Sequence, residues 1–385
     1  MTFISRCENK MIALAFLAPS LVTSVDILLD KVELPLLELI EPEQKTIYCY
    51  ASGEYALMHV FERTIIVVEI VVQKRRFVCQ KIGTMFGIEK CHPFDAGKWG
   101  RVYAMLKDWH LISDESTVRP LEATKNDLLI AHTNLYLSSL YSPCVLAKVV
   151  EVPIACLIPT CITDKYFLKR MRYQCGGTVA ACGLALERGW AVNLGGGFHH
   201  AHRSFGGGFC VYADISLALK ILFSRKLIEK ALIIDLDAHQ GNGHERDFGD
   251  DEKVFILDVY NPRIYPWDHK AQEGISRSVH VGSMTSDVEY LKLVKRNLST
   301  ALTDFRCDLV IFNAGTDSLE NDPLGGLSLS PECIVRRDEV VFRLCRQNST
   351  PIAMLTSGGY LMKSAEVIAN SIKNLHEKEL IELRA

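Results

Sequence analysis

The chain has 385 residues, with 43 Lys and Arg against 46 Asp and Glu, a formal charge of −3 and 48% apolar residues. This composition excludes wholesale disorder, and the near-neutral balance excludes a general electrostatic drive toward nucleic acid or anionic membrane. The 13 cysteines are odd in number and scattered singly without a CxxC pair, which fits reduced, buried thiols in an intracellular protein rather than a disulfide scaffold.

Taken in chain order, residues 11–25 (MIALAFLAPSLVTSV), preceded by Arg6 and Lys10, have the pattern of the n- and h-regions of a signal peptide. Asp26 ends the run short of a membrane span, so it is read as an N-terminal extension or a buried helix, with a signal peptide as the alternative. Residues 64–72 (TIIVVEIVV) predict a β-branched strand. From about Cys91 onward strands and helices alternate. Residues 176–188 (GGTVAACGLALER) predict a helix capped by Gly189, followed by a strand at 191–194. The apolar runs 231–234, 254–257, 309–312 and 351–355 predict buried parallel strands. Val288, Leu291, Val294, Leu298, Leu302 and Phe305 form a helical stripe, and Ser330-Pro331 opens a helix running to about Arg346. The expected fold class is α/β, a single domain with a central, mostly parallel sheet and helices on both faces.

In such a sheet, ligands bind beyond the C-terminal ends of the strands, and the polar motifs of this chain fall there: GGGFHHAH, DLDAHQGNGH, NAGTDSLENDPLGG and TSGGY. In Asp235-Leu236-Asp237-Ala238-His239, residues two apart on extended backbone face the same way. Asp237 and His239 therefore suit one metal ion, with Asp317 as the best third ligand. Two carboxylates and one imidazole leave an open position, as in catalytic rather than structural zinc sites. His199 and His200, after three glycines, suit a general base and a general acid. His202 is expected to face solvent. Tyr360, after Gly358 and Gly359, suits an oxyanion donor. Gly206 to Gly208 with Phe209 and Tyr265 predict a narrow slot for a long, slim substrate chain, and Gly358 is counted with Gly208, Phe209 and Tyr265 as substrate-binding.

From Met85 to Leu380 the chain resembles the zinc-dependent histone deacetylases, in particular class IV, the histone deacetylase 11 type. The segments carrying the resemblance are HPFDAGKWG (92–100), ERGWAVNLGGGFHH (187–200), GGGFCVYADI (206–215), IIDLDAHQGNGHERDF (233–248), DVYNPRIYP (258–266), NAGTDSLENDPLGGLSLSP (313–331) and TSGGY (356–360). The resemblance implies an arginase-deacetylase-type domain over 85–385 behind a divergent N-terminal extension, 1–84, of which 71–78 is a degenerate match to the family's first strand. It implies hydrolysis of Nε-acyl-lysine amides, with zinc held by Asp237, His239 and Asp317. His200 would take the proton from water, His199 would assist as electrostatic or acid partner, and Tyr360 would stabilise the oxyanion. Asp235 and Asn242 complete the catalytic set. A potassium ion is expected near Asp235, Asp237, His239 and Asp258, and Lys98 near an internal channel. Family members also suggest acyl-lysine side chains of histones or other proteins as substrates, long fatty-acyl groups among them. They further suggest deacetylase or corepressor complexes as partners, and nucleus and cytoplasm as locations.

Where better-known deacetylases carry an aspartate, this chain has Asn242. A neutral amide stabilises imidazolium less than a carboxylate does, so a lower His200 pKa is expected. Three competing readings are a catalytically weak corepressor scaffold, an acetylpolyamine amidohydrolase and a two-metal ureohydrolase. The last lacks the further Asp its second metal needs, because Gln240 and Gly241 follow His239.

Overall fold

The computed structural model describes residues 46–51, 54–59, 66–67, 95 and 97–384, all within the unit Pro35–Ala385. The runs 11–25 and 71–78 lie outside the described residues, as do most of 64–72 and of 92–96. Strands β1 (Thr46–Ala51) and β2 (Glu54–His59) pair antiparallel as a separate two-stranded sheet.

The main sheet is built from β3 (Ile66–Val67), β4 (Thr117–Val118), β5 (Trp190–Asn193), β6 (Ala231–Asp235), β7 (Val254–Tyr260), β8 (Arg277–His280), β9 (Leu309–Asn313) and β10 (Ile352–Leu355). Their order is β4-β3-β5-β10-β9-β6-β7-β8, and every neighbouring pair is parallel. The sheet is thus more uniform than the mostly parallel one expected. Every residue of β5, β6, β9 and β10 is buried, which requires cover on both faces and explains why these strands read as continuous apolar runs.

The helices that support the site are α1 (Lys98–Asp108), α2 (Lys169–Arg188), α3 (Asp214–Ser224), α4 (Asn242–Phe248), α5 (Asp287–Asp304), α6 (Pro331–Gln347) and α7 (Ser364–Glu377). Helix α2 ends as expected at Gly189, whose φ of +91° lies in the left-handed region open to a residue without Cβ. It starts at Lys169, seven residues before the expected start, because Met171, Gln174 and Cys175 extend its buried face among charged neighbours. Helix α6 begins where Ser330 Oγ accepts the Cys333 N–H at 3.1 Å, with Pro331 in the first turn. In α5 the expected stripe needs one correction. Val288 is 79% exposed, and Tyr290 takes the buried place in the first turn ahead of Val294 and Leu298. At 100° per residue, position 290 lies on the 294/298 face and position 288 does not.

The chain runs from β6 outward through β7 to β8, then returns to the other side of β6 to form β9 and β10. The β6/β9 boundary is therefore a topological switch point, where the loops leaving adjacent strands diverge and open a crevice. Asp235 and Asn313 are register partners across it.

Candidate active site

Four loops leave the C-terminal edges of neighbouring strands β5, β10, β9 and β6, and each brings one part of the site. The extended segment after Asp235 turns Asp237 and His239 to the same side. His239 Nδ1 lies 3.1 Å from Asp237 Oδ1 and 2.7 Å from Asp317 Oδ2, with all three residues buried. Their ligand atoms fall within 4.8 Å of one another. Burial and then the charge of Asp237 push the Asp317 carboxyl up to about 7. Two buried carboxylates crowded onto one imidazole repel each other, and a divalent cation relieves that repulsion. The donor set of two oxygens and one nitrogen fits zinc.

The close packing explains two glycines. At Gly358 a Cβ would collide with Asp237 Oδ2. At Gly208, where φ is +52°, a Cβ would collide with the His200 ring and lie 3.0 Å from Cε1 of Tyr265.

The tandem histidines are both buried, with ring centroids 4.1 Å apart, yet their surroundings push them in opposite directions. His199 Nδ1 meets Asp235 Oδ2 at 2.8 Å. Burial alone would lower its pKa, but Asp235 and Asp237 outweigh it and hold the ring at about 9. His200 Nδ1 meets Asn242 Oδ1 at 2.8 Å. Burial, then the neighbouring His199 and His239, push His200 well below the usual imidazole value. The amide orientation of Asn242 follows from its other contact, since Nδ2 donates to Asp268 Oδ2 at 3.1 Å. With oxygen facing the imidazole, His200 carries its proton on Nδ1 and leaves Nε2 as an acceptor.

Tyr360 packs edge-on to His239, with centroids 6.2 Å apart, and its backbone N–H donates to Asp322 Oδ2 at 2.9 Å. Burial, then Asp317 and Asp237, keep its phenol well above the ordinary value and so protonated. Tyr265 stacks edge-on to His200 at 4.9 Å, and Phe209 to Phe167 at 5.6 Å. One cavity is lined by Trp99, His200, Phe209, Cys210, Gly358 and Tyr360.

His202 departs from expectation. It is half-buried, exchanging backbone hydrogen bonds with Phe205, and it belongs to neither cluster of metal-binding type. Asp258 stands opposite Asp235 in register across β6 and β7. Burial, then the charges of Asp235 and Glu245, raise its carboxyl well above the usual range, and this acidic set suits a cation.

Lys98, expected near an internal channel, and Arg337 and His244, not singled out from the sequence, all support the site. Lys98, buried at the start of α1, donates through Nζ to the carbonyls of Ser357, Gly358 (2.6 Å) and Gly359 (3.3 Å), tying down the Tyr360 loop. Burial lowers its pKa to about 8 against the raising effect of Asp317 and Asp237. Arg337 on α6, fully buried, donates to the carbonyls of Leu236 (3.1 Å) and Gly315 (2.7 Å), which border the two ligand-bearing loops. His244 on α4 reaches Asp235. Their sequence signal was weak, since each acts through contacts 9 to 261 residues away.

Residues 92–375 match the histone deacetylase domain family. The chain is 50% identical over 301 residues to histone deacetylase 2 of Arabidopsis thaliana, covering 78% of each chain. The chain belongs to the histone deacetylase family. It is also 28% identical over 263 residues to the acetoin utilization protein AcuC of Bacillus subtilis, covering 62% of this chain and 64% of that one. The crystal structure of the HDA15 HD domain shares the fold, with a TM-score of 0.61 at 19% identity, covering 83% of this chain and 90% of the other. Among the described residues no helix is long and apolar enough to cross a membrane.

Proposed function

We propose that this histone deacetylase family member hydrolyses Nε-acyl-lysine amides of histones or other proteins as a zinc-dependent enzyme of the class IV type, with residues 85–385 as its catalytic domain. The observation that carries the reading is the cluster of Asp237, His239 and Asp317 beside two histidines of opposite proton affinity, with Asp237, His199, His200 and Tyr360 lining one cavity. Asp237, His239 and Asp317 would hold zinc, which when bound would supply Lewis-acid polarisation of the acyl carbonyl and acidify water.

The chain's own groups do the rest. His200, neutral and with Nε2 unprotonated, takes the proton from the attacking water. His199, kept cationic by Asp235 and Asp237, stabilises the developing negative charge and serves as the acid partner for the departing lysine amine. Two titratable groups with pKa values forced apart are the arrangement that separates base from acid. Tyr360, which stays protonated, donates its O–H to the oxyanion. Gly208, Phe209, Tyr265 and Gly358 shape the slot for the acyl-lysine chain. Potassium is proposed near Asp235, Asp237, His239 and Asp258, where it would offset the buried acidic charge. We also propose long fatty-acyl groups among the substrates, deacetylase or corepressor complexes as partners, and a nuclear and cytoplasmic location. The Asn242 partner of His200 supports the class IV assignment.

The test is turnover of matched acetyl- and myristoyl-lysine peptides by the zinc-loaded protein, beside Asp237→Ala and Tyr360→Phe. Absence of metal-dependent turnover of either peptide overturns the enzyme reading and favours a scaffold. Preference for acetyl overturns only the fatty-acyl extension.

A further inference from the structure

His244 has no part in the chemistry described above. It is the third residue of α4 and buried, and its Nε2 lies 2.8 Å from Asp235 Oδ2. His199 Nδ1 approaches that same oxygen at 2.8 Å. The other oxygen, Oδ1, accepts from Asn313 Nδ2 at 2.9 Å and from the Asp237 backbone N–H at 3.1 Å. One carboxylate thus receives four donors from three elements: the loop after β5, the end of β9, and α4, together with its own strand exit. His244 Nδ1 has no hydrogen-bond partner, so Nε2 is the ring nitrogen through which His244 meets Asp235.

We propose that His244 is a positioning residue for the deacylation: by occupying one side of Asp235 Oδ2 it holds that carboxylate in place, and through it the orientation and tautomer of His199. The consequence reaches the reacting centre because His199 Nε2 lies 3.6 Å from Asp237 Oδ1. A buried carboxylate with a vacant accepting site rotates toward whatever donor remains, and a ring hydrogen-bonded to it turns with it. His200 has an amide partner, so Asp235 is the carboxylate that hydrogen-bonds the tandem pair.

The inference rests on the deacylase reading and is tested on the full zinc-loaded chain with an acyl-lysine peptide. Outer partners of site residues typically change activity by about 10- to 100-fold. His244→Leu is expected to lower kcat about tenfold with KM and zinc content unchanged, and His244→Gln, which keeps an N–H within reach of Oδ2, to recover most of the loss. In a His199→Ala background, His244→Leu is expected to change kcat less than about twofold, because no ring remains to be held. A full tenfold loss in that background, or a loss that Gln does not recover, overturns the proposal and leaves His244 a packing residue. A second equivalent of bound metal that disappears in His244→Leu also overturns it, making His199, Asp235 and His244 a cation site. If His244→Leu does not fold, the comparison of His244→Gln with the shorter His244→Asn decides: equal kcat overturns the proposal, and a selective loss in Asn supports it. A wild-type chain without turnover refutes the deacylase reading itself, whereas an active wild type matched by His244→Leu refutes only this inference.

Discussion

His200 and Asn242 meet through a neutral hydrogen bond of 2.8 Å, while His199, one residue earlier, meets the carboxylate of Asp235 at the same distance. Identical side chains on one loop are thereby divided into a ring that resists protonation and a ring that retains its proton.

That division predicts a pH effect. A carboxylate at position 242 favours the imidazolium of His200, so its pKa rises. With the neutral ring as the proposed base, activity then begins only at higher pH. Asn242→Asp is expected to move the acid limb of the kcat/KM profile up by about one pH unit, with activity at pH 6 falling relative to pH 8. An unmoved limb in the measured profile would show that His200 is not the base.

Tyr360→Phe removes the phenolic donor while keeping the ring against His239. Loss of one preformed oxyanion donor lowers kcat about 100-fold or more, with KM within a few-fold and zinc retained. Steady-state kinetics beside metal analysis checks this, and a KM-only effect would reassign Tyr360 to binding.

Gly358→Ala places a methyl group against Asp237 Oδ2. Asp237 must move to admit it, so zinc affinity is expected to fall at least about tenfold in chelator competition. Wild-type affinity in that assay would mean the loop yields instead.

Arg337→Leu strips the guanidinium from Asp338, its fully buried partner at 2.8 Å, and frees the Leu236 and Gly315 carbonyls. Breaking a buried pair by removing one partner costs about 3–5 kcal/mol, to be read from urea denaturation. Arg337→Lys, which keeps the charge but not the fork, should lose less. A Leu variant as stable as wild type would show that Asp338 takes up a proton at little cost.

Burial on both faces left the β5, β6, β9 and β10 strands as unbroken apolar runs, and the change to glycine, Asp, His and Tyr at their ends marked the site edge. For that reason the gathering of Asp237, His239 and Asp317 and the tandem histidines at one edge were legible in the amino-acid order, and the Asn242 contact with His200 through the resemblance to the deacetylases. The α5 face was misread at Val288 because Tyr290, a polar-tipped aromatic, outranked it in burial. What the order of residues could not disclose was the support behind the site. The holds of Lys98 on the Tyr360 loop and of Arg337 on two carbonyls join segments far apart in the chain, and that of His244 on Asp235 depends on how α4 folds back over the end of β6. A local pattern records which way a side chain faces along its own strand or helix; which distant group it meets depends on strand order, and that is settled when the sheet assembles.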